Sequence, residues 1–126
     1  MAEPIRARDI IGDAPVIDPV AFERVRRVGG ERLLQQMIAS FLEHAPGRLD
    51  AALHTDFSAE AARAAHALKS SAGNLGLARV MLLAEAMELR EMQGDGRGCL
   101  ALRPALAAAF EEACTALRRE SERSDQ

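Results

Sequence analysis

The sequence contains no tryptophan and no tyrosine, and phenylalanine supplies all of its aromatic residues, which make up 3% of the 126 positions. Hydrophobic residues nevertheless account for 48% of the chain. Alanine and leucine must therefore build the core, and such a composition favours helices over strands, in which β-branched and aromatic residues are preferred. The length suits one domain with a single core.

The sequence also lacks an excess of basic charge. It has 16 basic and 19 acidic residues and a formal net charge of −3, which gives no support for nucleic-acid binding. No apolar run is long enough to cross a bilayer, and residues 1–13 lack the apolar core of a signal peptide. We therefore expect a cytoplasmic protein that binds neither nucleic acid nor a membrane.

Cysteine and histidine are scarce and are not spaced for cross-linking or metal binding. Cys99 and Cys114 are predicted to share one helix, on which fifteen residues separate them by roughly 22 Å. This exceeds disulfide reach, so both are expected to be reduced thiols that fill space. His44, His54 and His66 lack the short paired spacing of a helical zinc site. No metal site is predicted.

Cap and turn residues predict where the first helices begin and end. Asp18-Pro19 is typical of a helix start, with the aspartate as N-cap, and Gly29-Gly30 is typical of a helix end. A second helix is expected from about Glu31. Because its apolar period continues through Pro46 without a change of phase, the pattern favours one kinked helix over two.

Three further helices complete the predicted set. The third is expected to start at a cap provided by Asp56 or Ser58 and to end near Asn74, with Gly76 as a left-handed C-terminal cap. The fourth is expected at about 77–92, and the last from 99 or 103 to 119.

Four longer amphipathic helices, joined by short turns and without a strand pattern, predict an all-α fold. The expected architecture is an antiparallel up-down four-helix bundle with a short extra N-terminal helix. We predict a mobile N-terminal segment at residues 1–17, the bundle domain at 18–119 and a disordered tail at 120–126.

His66 lies outside the apolar stripe of the predicted third helix. At about 100° per residue, the core face carries alanine and leucine, namely Ala61, Ala64, Ala65, Leu68, Ala72 and Leu75. The face around the histidine carries small side chains, namely Ala59, Ala62, Ser70 and Gly73. Lys69 is one turn away. An exposed imidazole on such a surface, with a lysine nearby, predicts a nucleophile that a second protein must reach.

Phosphoryl transfer would use these residues directly. A neutral imidazole offers a ring nitrogen as nucleophile, Lys69 can balance the charge of an attached phosphoryl group, and Ser70 can donate a hydrogen bond to it. Glycine within a helix is less favourable than alanine by about 1 kcal/mol, so close approach of a partner is a reason to keep Gly73.

The sequence lacks the parts that would handle a nucleotide. It has no P-loop and no acidic cluster placed to hold magnesium. The phosphoryl group would therefore come from one protein and leave to another, and we expect magnesium on the partner rather than a cofactor in this chain.

The stretch HALKSSAGNLG at residues 66–76 resembles the signature of histidine-containing phosphotransfer (Hpt) domains, the relay modules of bacterial multi-step two-component signalling. The family's phospho-accepting histidine corresponds to His66, its lysine to Lys69 and its glycine to Gly76. FLEHAPGRLDAAL at 41–53 is similar to the preceding helix of bacterial members, so the likeness covers about residues 17–117. Many members have glycine directly after the lysine, where this chain has Ser70.

The resemblance implies a four-helix bundle that is phosphorylated on the distal imidazole nitrogen of His66 and exchanges this group with receiver aspartates. It implies a phosphoryl carrier rather than an enzyme. Its partners would be receiver domains of response regulators or a hybrid sensor histidine kinase, and we expect a monomer. The predicted docking residues are Ala59, Ala62, Arg63, Gly73 and Asn74. A helical adaptor or dimerisation module that uses the same surface only for binding stays open as an alternative.

Two further features have two interpretations each. Met81, Leu82, Leu89 and Met92 lie off the main stripe of the fourth helix, so they form either an exposed apolar patch or a wider buried face. Arg63 and Arg79 either contact an acidic receiver surface or are simply solvated.

Overall fold

A computed structural model describes residues 6–54 and 58–124, which form five helices. They are α1 (Ala7–Ile11), α2 (Pro19–His54), α3 (Ser58–Asn74), α4 (Ala78–Met92) and α5 (Gly96–Ser124). α3 packs between α2 and α4, α5 packs on α4 and α2, and α1 lies against α4. This confirms the predicted all-α bundle of four long helices with a short N-terminal one.

α2 begins and bends where the sequence predicts. Asp18 caps it, because its Oδ1 accepts a hydrogen bond from the backbone N–H of Val20 at 3.0 Å. Gly30 has φ 71° and ψ −171°, which breaks the helical path at the predicted boundary. A Cβ on Gly29 would lie 2.6 Å from the Leu33 side chain, so this position also excludes larger residues.

The second part of α2 continues through Pro46 to the end of the helix, which confirms one helix there rather than two. The structure describes neither Asp56 nor the side chain of Ser58. The predicted N-terminal cap of α3 therefore lies outside the described residues.

The core is built from leucine, alanine and a few larger apolar side chains. The ring centroids of Phe41 on α2 and Phe110 on α5 lie 5.8 Å apart, and this contact joins the two helices. The fourth and fifth helices, with the residue that precedes α4, bury one apolar stripe each, namely Leu77, Val80, Leu83, Ala84, Met87, Leu102, Leu106, Phe110, Ala113 and Leu117. Among the described residues, no polar or charged residue is buried.

Helices occupy parts of both predicted terminal segments. α1 falls within the predicted mobile segment, and its Ile10 and Ile11 pack against the core. Arg79 holds the chain after α1 by donating from Nε to the backbone oxygen of Ala14 at 2.8 Å. These contacts join residues far apart in sequence, so local periodicity does not predict α1.

α5 is longer than predicted at each end. It begins at Gly96 and continues to Ser124, well into the segment predicted as a disordered tail. Glu120 explains part of this extension, because its carboxylate lies 3.6 Å from the Arg26 guanidinium of α2. Residues 1–5 and 125–126 of the predicted terminal segments lie outside the description. No helix within the described ranges is long and apolar enough to span a membrane.

Candidate phosphotransfer site

α3 presents His66 on its outer face because its inner face is fully used by the core. Ala61, Ala65, Leu68, Ala72 and Leu75 are buried, as predicted, whereas Ala64 is only partly buried. The His66 side chain is 61% exposed.

The C-terminal end of α3 is fixed by a glycine in the left-handed region, as predicted. Gly76 has φ +71°, its N–H donates to Gly73 O at 3.1 Å, and the N–H of Leu77 donates to Ala72 O at 2.9 Å. These two bonds form a Schellman motif that satisfies the last carbonyls of the helix. The backbone oxygen of Gly76 also accepts from Asp18 N at 2.8 Å, which attaches this turn to the start of α2.

Glu88 on α4 joins the two principal residues that the sequence singled out. Its Oε2 lies 2.6 Å from Nδ1 of His66, and its Oε1 lies 3.2 Å from Nζ of Lys69. The Glu88 side chain is only 15% exposed. The structure therefore places the imidazole, the ammonium and a carboxylate in one hydrogen-bonded group.

The contact with Glu88 indicates which nitrogen of His66 carries the ring proton. An ionised carboxylate can only accept hydrogen bonds, so Nδ1 of the ring carries the proton and donates it. Nε2 of the neutral ring then keeps its lone pair, on a side chain that is more than half exposed. Nε2 is thus the ring nitrogen that is available to an incoming group.

Sequence reasoning missed Glu88, although a signal was present. Glu88 follows Met87 and lies four residues after Ala84, so it borders the buried stripe of α4. An acidic residue at the edge of a buried stripe indicates a partner on the neighbouring helix. Identifying that partner as His66 requires the pairing of α3 with α4, which helical periodicity alone does not provide.

The predicted docking residues lie on and beside the outer face of α3. Ala59, Arg63, Ser70 and Asn74 are exposed, and Ala62 and Gly73 are partly buried. A Cβ at Gly73 would lie 3.2 Å from the sulfur of Met81 on α4, so the methionine side chain would have to shift by a few tenths of an ångström.

Asn74 also lines an open cavity of about 190 Å³ between α2 and α3. In the same cavity, Arg48 donates from Nη1 to Ser71 Oγ at 2.7 Å. Polar groups therefore extend from α3 onto α2 on this side of the site.

The structure bears on the two features that had two interpretations each, the off-stripe apolar residues of α4 and the arginines. Met81 and Leu82 are partly buried, whereas Leu89 and Met92 are exposed, so only the C-terminal half of α4 presents apolar side chains. Arg79 bonds to the backbone of Ala14 and to Glu112 of α5, which gives it a structural role.

Within residues 6–54 and 58–124, no three His, Cys, Asp or Glu side chains are grouped to hold a metal ion. The carboxylate of Glu88 instead bonds to His66 and Lys69.

Comparison with known families agrees with this geometry. The Hpt domain model matches residues 33–120, which is well over half of the chain and includes α3, α4 and the three joined side chains. No curated protein and no solved structure gives a significant match. Hpt domains act as phosphoryl carriers in histidine phosphorelays and interact with receiver domains. The chain therefore belongs to the histidine-containing phosphotransfer (Hpt) domain family.

Proposed function

We propose that this chain accepts a phosphoryl group from the aspartate of one receiver domain on Nε2 of His66 and donates it to the aspartate of another. The observation that carries this proposal is the 2.6 Å contact between Nδ1 of His66 and Glu88, on an imidazole that is 61% exposed. It leaves the lone pair of the ring on the accessible nitrogen.

The transfer step balances without an added acid or base. The Nε2 lone pair forms the new P–N bond while the P–O bond to the receiver aspartate breaks, and the aspartate leaves as a carboxylate with that electron pair. The ring becomes positively charged and keeps its proton on Nδ1. Glu88 accepts the hydrogen bond from that N–H. A carboxylate next to a developing imidazolium stabilises the transition state by direct charge attraction.

Lys69 and Ser70 support the phosphorylated form in this proposal. Lys69 lies one turn from His66, and its ammonium is already held at the site by Glu88. It can balance the charge of the phosphoryl oxygens, which Glu88 cannot approach favourably. The exposed hydroxyl of Ser70, on the following residue, can donate a hydrogen bond to the same oxygens.

The receiver domain supplies the remaining chemistry. We assign magnesium to the partner, where it neutralises the transferring phosphoryl group. His66, Lys69 and Ser70 then present the nucleophile and its immediate electrostatic support on a helix that a second protein can approach.

The direct test is incubation with phosphorylated receiver domains and Mg²⁺. We expect the parent protein to acquire acid-labile phosphate and the His66→Gln variant to acquire none. His44→Gln is the matched control, because the side chain of His44 is 59% exposed and lies on α2. Acid-labile phosphate on His66→Gln equal to that of the parent would exclude His66 as the acceptor. A parent that binds receivers but never accepts phosphate would favour the adaptor alternative.

A further inference from the structure

The C-terminal half of α4 presents apolar side chains to solvent next to His66. Leu89 is 52% exposed, and Met92 is 74% exposed. Leu89 directly follows Glu88, whose carboxylate bonds to the imidazole. We call Leu89 and Met92 the α4 apolar flank.

The pairing of α3 with α4 brings this flank onto the surface that surrounds His66. His66 is level with Glu88, and Gly73 is level with Met81, so the two helices run antiparallel. One turn further along, Ala62 is therefore level with Met92. α3 carries only a methyl group there, and Met92 is 74% exposed.

A phosphoryl donor must cover this flank when it reaches His66. Reacting atoms have to approach to about 3–3.5 Å, so the surfaces of the two proteins come into contact around the imidazole. A specific interface buries about 800 Å² per partner, equivalent to a disc of roughly 16 Å radius. Met92 is one helical turn beyond Glu88, or about 6 Å along the axis, well within that disc.

We propose that the α4 apolar flank is a docking surface that a receiver domain buries with apolar side chains bordering its phosphorylatable aspartate. This inference rests on the proposed function and adds the orientation of the partner. The α4 side of the site carries the exposed apolar Leu89 and Met92 beside the acidic Glu85, whereas the α2 side carries the exposed Arg48 and Arg63. A receiver therefore meets a different chemistry on each side of His66, which fixes one orientation of approach.

Continuity with the transfer site favours a receiver over a second copy of this chain. A second copy seated on Leu89 and Met92 would also cover His66, because Glu88 lies between the flank and the imidazole. Such a dimer would block the nucleophile. A receiver covers the same residues only while it exchanges the phosphoryl group.

The test is the double variant Leu89→Gln/Met92→Gln. Glutamine is a good helix former and is neutral, so it removes apolar surface without changing the charge beside Glu88. We expect the KM for the receiver to rise about 10-fold or more, with a nearly unchanged maximal transfer rate. Phosphorylation of His66 by the small donor phosphoramidate should stay at the parent rate.

Val28→Gln is the matched control, because Val28 is 79% exposed and also lies on a helix. α5 begins beside the end of α4, so the Arg26–Glu120 pair near Val28 lies at the opposite end of the bundle from Met92. The control should leave the KM for the receiver unchanged.

An unchanged KM in the double variant would overturn the proposed docking surface. The proposed function would still stand in that case, provided that receivers phosphorylate His66. Sedimentation that shows a dimeric parent and a monomeric double variant would overturn it in favour of a second copy. Absence of phosphate on His66 in the parent, with every receiver and with phosphoramidate, would instead contradict the proposed function itself.

Discussion

At the scale of single residues, one carboxylate organises the site. Glu88 uses one oxygen for the His66 imidazole and the other for the Lys69 ammonium, and its side chain is largely shielded from water. Two donors on one planar group hold it in one orientation, and the short bond to Nδ1 in turn restrains the imidazole ring. The imidazole of the proposed acceptor is therefore oriented before a partner arrives.

Removing this carboxylate should slow transfer. A hydrogen bond to a charged group is worth about 1.5–3 kcal/mol, or about 10- to 100-fold in rate. Because the imidazole is more than half exposed, we expect the lower end, about a 10-fold loss, for Glu88→Ala. Glu85→Ala is the control, since Glu85 is exposed one turn earlier on α4. Transfer from phosphorylated receivers is the measurement.

Nitrogen NMR of the His66 ring tests whether Glu88 positions the imidazole or only stabilises the fold. The parent should show the tautomer protonated on Nδ1, and Glu88→Ala should shift the neutral ring toward protonation on Nε2. A variant that retains both the parent tautomer and the parent rate would show that Glu88 does not orient the nucleophile.

At the scale of helices, the turn after α3 holds the site helix against α2. Gly76 adopts φ +71°, and a Cβ there would lie 2.5 Å from the Ala21 Cβ and 2.8 Å from the Asp18 backbone oxygen. Glycine is thus required for two separate reasons, its conformation and the space it leaves. The motif glycine ten residues after the histidine has a structural role in this chain.

Gly76→Ala should be strongly destabilising. The left-handed conformation costs a non-glycine residue about 1–2 kcal/mol, and overpacking against α2 adds about 1–3 kcal/mol. We expect the free energy of unfolding to fall by about 2–5 kcal/mol in denaturant titrations. Gly94→Ala is the control, because Gly94 also has φ +71° but has no atom within 4 Å of the added Cβ. Equal losses in both variants would mean that contact with α2 contributes nothing.

The features that the sequence predicted correctly are those with local causes. The cap at Asp18, the break at Gly29-Gly30 and the left-handed turn at Gly76 each depend on residues within a few positions. The role of Glu88 depends on a residue 22 positions away. α1 likewise owes its position to contacts of Ile10 and Ile11 with the core. Periodicity locates helices and their faces, but it does not specify which polar side chains meet across a helix pair.

At the scale of the whole molecule, the core contains both cysteines and no charged residue among those described. Burial raises the pKa of the Cys99 thiol from its ordinary value of 9.0 to about 12, and a contact with Glu91 acts in the same direction. Burial also raises the pKa of Cys114. Both thiols are therefore kept protonated and unreactive, as expected for space-filling residues.

These thiols should report global unfolding. Cys114 lies in the middle of α5, so we expect Ellman's reagent at pH 8 to label it only as fast as the protein unfolds. Labelling should increase with denaturant in parallel with the loss of helical circular dichroism. Rapid labelling of the native protein without denaturant would contradict the burial of this thiol.

The same pKa shift predicts a loss of stability at alkaline pH. Below about pH 9 the Cys99 thiol is protonated in both the folded and the unfolded chain, and its contribution is fully present. Between about pH 9 and 12 the unfolded chain releases the proton while the folded chain retains it. The free energy of unfolding should therefore decrease as the pH rises through this range.

The hydrogen bond between Asp18 N and Gly76 O has a consequence for how the bundle opens. The start of α2 cannot fray without exposing the turn that ends α3, and the turn cannot open without releasing the start of α2. We therefore expect the two segments to open together in hydrogen exchange, although more than fifty residues separate them in sequence. The rigidity of α3, which carries His66, therefore depends in part on α2, which carries none of the predicted site residues.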